Sequence, residues 1–175
     1  MLKLPIYFHN CNVEDISNMV SEMLNRLIAH NDFSFPLQSQ SLSRFHSRAS
    51  PSITIQDYLR RISKYANIEK SALLLILIYI DRICVRKKEF TMSSLTSHRF
   101  IISAITIGSK SISDVYCTNS HFAKVGGISV VELNMLELEF CTMIDWKLAA
   151  NAELMQQYYV NLVRTSGNYS LEEGS

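Results

Sequence analysis

A chain of 175 residues with 47% hydrophobic and 19% charged residues is long enough to bury one sizeable core and too apolar to remain disordered. A formal net charge of +1 excludes a general electrostatic pull toward nucleic acid or anionic lipid. Five Gly and three Pro are few for a turn-rich β fold, so the totals point to a single all-α domain over residues 1–175.

Residues Met1 to Asn10 lack the charged-then-apolar plan of a secretory leader. From Asn12 to His30 the apolar positions Val13, Ile16, Met19, Val20, Met23, Leu24, Leu27 and Ile28 recur at helical steps, with Asn12 as cap and Asp15 behind it. The stretch Gln38 to Ser52, "QSQSLSRFHSRASPS", is serine-rich and aperiodic. It reads as a solvated surface connection pinned by Phe45, with serines beside Arg44 and Arg48 as candidates for phosphorylation. Thr54 and Asp57 open a second helix with Ile55, Tyr58, Leu59, Ile62 and Tyr65 on its inner face, ended by Asn67.

The third helix, Ile68 to about Val85, is apolar almost all round and therefore central. Its run "ALLLILIYI" is too short to span a bilayer and is interrupted by Asp81-Arg82, which excludes a membrane segment. These two charges point about 100° apart, so they do not simply pair with each other. One of them is expected to face inward, and Arg61 on the preceding helix is the expected partner of Asp81 in a buried ion pair. The basic end Arg86-Lys87-Lys88 reads as a solvated helix terminus favoured by the helix dipole.

Ser93 to Tyr116 is densest in apolar residues from Phe100 to Ile107. These are β-branched enough for a strand, but the length favours a helix. "NSHFAKVGG" forms a short helical turn closed by Gly126-Gly127. Ser129 caps a helix to about Ile144 with Glu132 in the capping-box position, and Asn151 to Arg164 is a last amphipathic helix. The tail "TSGNYSLEEGS" reads as frayed.

Chemical signatures are thin. The phosphate-loop, dinucleotide, H-E-x-x-H and G-x-S-x-G patterns are all missing. Cys11, Cys84, Cys117 and Cys141 hold no C-x-x-C pair and are expected as free thiols in a reducing compartment. His9 with Cys11 lacks a second close pair, so no metal site is expected.

Taken together, "RFHSRASPSITIQDYLRRISKY", "LLLILIYIDRI", "SLTSHRFIISAITIGSKSISDVY", "NSHFAKVGGISVVELNMLELEF" and "DWKL" resemble a cyclin box. They resemble more narrowly the P-type (P/U-type) cyclins, the phosphate-pathway class, in order from about Arg44 to Leu148. The resemblance implies an all-α, cyclin-like five-helix box over about 44–148, with flanking helices at about 12–30 and 151–164 packed onto it. It also implies a regulatory subunit, not an enzyme, that binds and activates a cyclin-dependent serine/threonine protein kinase inside the cell, in cytoplasm or nucleus. Such a protein needs no cofactor, metal or small-molecule substrate, and no nucleic acid or membrane.

The family's paired contact residues match Lys110 and Glu137. Apolar neighbours on the same surface match Ile107, Cys141 and Trp146, and Asp114 is similar to the acidic residue near the kinase's activation segment. Lys110 and Glu137 are expected to be exposed in the free protein and paired only on binding. Two departures stand out: Ser111 follows the lysine where many cyclins carry an aromatic, and the M-R-A-I-L docking stretch is absent. Two other readings compete with the kinase subunit. One is a cyclin-like adaptor without kinase activation, and the other a nucleic-acid-binding member of the wider cyclin-fold group, which the near-neutral charge disfavours.

Overall fold

The computed structural model describes residues 1–36 and 42–174. Residues 37–41, and with them Ser39 and Ser41 of the serine-rich connection, lie outside the described residues. Among the described residues seven α-helices follow in order: α1 Val13–Ser34, α2 Ile55–Ala66, α3 Lys70–Arg86, α4 Ser97–Ile112, α5 Asn119–Gly126, α6 Val130–Met143 and α7 Ala152–Thr165. The strand alternative for Phe100–Ile107 is thereby settled as helix.

Local chemistry sets most helix starts. Asn12, Thr54, Thr118, Ser129 and Asn151 each accept a hydrogen bond from the backbone N–H three residues on, satisfying one of the donors that an α-helix leaves unpaired. Two ends are equally local. Asn67 adopts a left-handed backbone after α2, and Gly127 (φ 75°) does so after α5, where only glycine avoids strain.

The middle of the molecule is α3, buried without interruption from Ala72 to Ile80. Helices α4, α1 and α7 pack around it, α6 and α5 cover α4, and α2 lies against α1 and α5. A cluster of aromatic rings closes the core: Phe45 contacts Phe90, Phe100 and Phe140 at centroid distances of 5.8–6.4 Å. Phe45 is fully buried, so this one side chain anchors the otherwise aperiodic connection before α2.

Three expectations are corrected. Tyr65, placed on the inner face of α2, is exposed. The tail is not frayed: Tyr169–Leu171 (β2) pairs in parallel with Leu2–Leu4 (β1), with Leu2 opposite Tyr169. Nor does Asp81 lie in a buried pair with Arg61. Past Ile80, α3 turns a face to the surface, and Asp81 accepts a hydrogen bond of 2.5 Å from the Tyr158 hydroxyl of α7. Arg61 instead lies over the Tyr58 ring, 5.3 Å from its centroid. The reason is geometric: the apolar surround of α3 ends one residue before the charge, so Asp81 never meets the dry interior that would demand a cation.

Candidate functional site

Helices α4 and α6 run past each other and leave a groove of about 400 Å³ between them and the turn after α6. Ile107, Lys110 and Ser111 line it from α4, Asn134, Glu137, Leu138 and Cys141 from α6, and Trp146 and Leu148 from the turn. Counted from Ile107 on α4 and from Asn134 on α6, the positions fall at steps of three, four and seven, so they share one face.

At its centre the Lys110 Nζ donates to Glu137 Oε1 at 2.7 Å. The pair is half-buried, with side-chain exposures of 33% and 18%. Lys110 and Glu137 are thus already joined in the free protein, which corrects the expectation of two exposed, unpaired charges. The other carboxylate oxygen of Glu137 accepts from Asn119 Nδ2 at 3.0 Å, and the same amide reaches Asn134 Oδ1 at 2.7 Å. Asn119 is the first residue of α5, so three helices converge on one carboxylate. No sequence pattern marked Asn119; its role arises from the place where the Thr118 cap starts α5.

The floor and walls differ in exposure. Ile107 and Cys141 form the floor and are only 4% and 7% exposed, whereas Leu138 and Trp146 stand 62% and 63% exposed at the rim. Burial pushes the Cys141 thiol pKa up, and the Glu137 carboxylate adds to the shift. Beneath the floor, the Tyr79 hydroxyl of α3 donates to the Leu148 carbonyl at 2.8 Å and lies 3.3 Å from Ser111 Oγ. Ser111 is therefore tied into the groove's base by its hydroxyl.

Trp146 projects because the backbone turns sharply beneath it. Asp145 and Trp146 have φ of 56° and 57°, a left-handed conformation that costs a non-glycine residue roughly 1–3 kcal/mol and needs outside support. Helix α3 supplies it. Arg86 pairs with Asp145 at 3.6 Å and donates from Nε to the Met143 carbonyl, while Arg82 Nη1 donates to the Lys147 carbonyl at 2.7 Å. Arg82, read from sequence only as one of two adjacent charges, and Arg86, read as part of a solvated helix end, hold the turn that presents the tryptophan. Asp114 lies apart from this groove, exposed in the connection between α4 and α5. His9 is exposed while Cys11 is buried.

A charge pair framed by apolar side chains, with an aromatic at the rim, has the composition of a protein-contact surface. The comparisons agree on the family. The cyclin family model matches residues 14–148. The chain is 42% identical over 94% of its length to the "Nuc-1 negative regulatory protein preg" of Neurospora crassa, covering 35% of that protein. It is 38% identical over 83% of its length to the "PHO85 cyclin PHO80" of Saccharomyces cerevisiae, covering 50% of it. With "Cyclin-U4-1" of Arabidopsis thaliana it is 37% identical over 80% of its length, covering 70% of that protein. The chain thus spans about a third to a half of the two fungal relatives and most of the plant one.

Proposed function

The chain belongs to the cyclin family, in its P/U-type branch, and from that premise we propose that it is the regulatory subunit of a cyclin-dependent serine/threonine protein kinase. It performs no chemistry of its own and acts inside the cell, where such kinases work. The observation that carries the reading is the Lys110–Glu137 pair set in the apolar groove of α4 and α6. Ile107, Cys141, Leu138 and Trp146 supply a surface on which the kinase's regulatory helix packs, and the pair supplies orientation. Packing there holds the kinase's Lys–Glu ion pair and activation loop in their active arrangement. Asp114 is the acidic contact toward the activation segment.

The test is direct. Lys110→Glu and Glu137→Lys are mixed with a kinase recovered on the wild-type chain from native extract, and binding and kinase activity are measured beside a melting curve. Each reversal opposes two like charges in the groove. It costs the free fold only about 1 kcal/mol, because the pair is partly solvated. In the complex the same charges are desolvated, and a loss of about 2–5 kcal/mol is expected, or roughly 30-fold to several thousand-fold in affinity. Normal activation by both variants rejects the interface. Wild-type chain that binds a kinase without raising its activity rejects the regulatory subunit in favour of an adaptor.

A further inference from the structure

The connection between α1 and α2 holds the sequence Arg48-Ala49-Ser50-Pro51, and Ser50-Pro51 is the only Ser-Pro or Thr-Pro step in the chain. From its surroundings we infer that Ser50 is a phosphorylation site for a proline-directed serine/threonine kinase.

Three features set Ser50 apart from its neighbours. The first is access. Arg48, Ala49 and Ser50 are all exposed, and residues 48–52 make no hydrogen bond among the described residues. The segment is nonetheless held at both ends, by Ser47 N–H donating to the Leu95 carbonyl at 2.8 Å and by the His98 ring on the Ile53 carbonyl. It can therefore be lifted into a cleft without breaking the fold.

The second is backbone conformation. Proline at the next position disfavours helical φ/ψ at Ser50 and leaves it extended, the form in which a kinase cleft takes a peptide. The third is the missing N–H of Pro51. A cleft that buries this position without an acceptor strands the amide of any other residue but not of proline. The remaining described serines of the connection do not share these features. Ser43 Oγ is occupied by the Phe45 amide and the His46 ring, Ser47 is half-buried, and Ser52 precedes isoleucine.

The reaction is an ordinary phosphoryl transfer. The Ser50 hydroxyl oxygen attacks the γ-phosphorus of ATP, and the new Oγ–P bond forms as the bond to the β–γ bridging oxygen breaks. ADP leaves, and the hydroxyl proton passes to the kinase's catalytic aspartate. The product places a charge of about −1.5 to −2 in a segment whose charged side chains, Arg44 and Arg48, are both cationic. Modification therefore cancels most or all of the positive charge of this surface. The inference stands whether or not the chain itself holds a kinase.

The experiment incubates the folded chain with magnesium, ATP and a purified cyclin-dependent kinase complex of established Ser-Pro preference, then locates the phosphoryl group by peptide mass spectrometry. One phosphoryl group on Ser50 is expected. Ser50→Ala removes it, and Pro51→Ala, which keeps the acceptor hydroxyl, lowers the initial rate about tenfold or more. Both variants melt within a few degrees of the parent, so neither result comes from unfolding. Incorporation at another serine, incorporation undiminished in Ser50→Ala, incorporation only after heat denaturation, or none at all overturns the assignment.

Discussion

Replacing Gly126 by alanine tests whether α5 is wedged against α4 as tightly as the distances say. A Cβ built on Gly126 stands 2.4 Å from Ile102 Cγ1 and 3.0 Å from its Cδ1, closer than carbon atoms approach. Ile102 is fully buried and has nowhere to retreat. α5 cannot easily back away either, because the Gly126 carbonyl accepts the buried Tyr58 hydroxyl at 2.7 Å. Overpacking of this kind costs about 1–3 kcal/mol, and the better helix propensity of alanine returns at most about 1 kcal/mol. At the middle of that range, a cost of about 2 kcal/mol, the net loss is about 1–2 kcal/mol, a Tm drop of about 2–8 °C for a chain of this size. Thermal melting by circular dichroism measures it. Ile102→Ala removes the atoms that clash, so its own loss of about 2–5 kcal/mol should combine with Gly126→Ala to less than the sum, with a coupling of at least about 0.5 kcal/mol. Gly126→Ala melting at or above the parent temperature, or strictly additive losses, would refute the wedge. The same displacement would move Asn119 at the far end of α5 and loosen its hold on Glu137.

Three further outcomes follow from other contacts. Asp81→Ala and Tyr158→Phe should each cost only about 0.5–1.5 kcal/mol in chemical denaturation, as for one hydrogen bond at the surface; a loss of about 3 kcal/mol or more from Asp81→Ala would restore the buried ion pair. Burial raises the Tyr58 phenol pKa against the smaller opposing effect of Arg61. The neutral form is thus favoured by folding: its contribution is fully present below the ordinary tyrosine pKa of about 10 and is lost as pH rises above it. Stability should fall in that alkaline range, less so in Tyr58→Phe, and equal slopes for the two proteins would contradict this. Burial likewise raises the Cys11 thiol pKa, and Cys11 is 1% exposed. A thiol reagent at neutral pH should label Cys11 far more slowly than in denatured chain, whereas equal rates would mean that the amino-terminal segment is not seated.

What the sequence revealed follows the range of the interactions involved. The caps at Asn12, Thr54 and Ser129 are legible because a cap joins residues three apart. The central place of α3 is legible because an all-apolar surround has few alternatives. The partner of Asp81 was not legible: Tyr158 lies 77 residues away, and nothing local distinguishes it from Arg61. For the same reason the pairing of β1 with β2 escaped notice, as three-residue strands carry no readable alternation. In the groove, the resemblance picked out Lys110 and Glu137, which the fold brings into contact. Asn119, Leu138 and the arginine support beneath Trp146 had no signal, because α6 is apolar on most sides and pattern alone does not separate a core face from a contact face. Val131 and Leu138 are exposed on that helix while Leu133 and Leu136 are buried.

The parallel pairing of Leu2–Leu4 with Tyr169–Leu171 has a consequence for anything tethered to the protein. Because the two strands run in the same direction, polypeptide joined before Leu2 leaves from one end of the small ribbon and polypeptide joined after Leu171 leaves from the other. Those exits are separated by little more than the ribbon's own length, about 10 Å at the rise of an extended chain. Two modules fused to the two ends would therefore start close together while leaving in opposite directions, at a mutual effective concentration fixed by their linkers. A fluorescent donor and acceptor attached at these points should transfer energy efficiently in the folded protein and separate as soon as the ribbon opens.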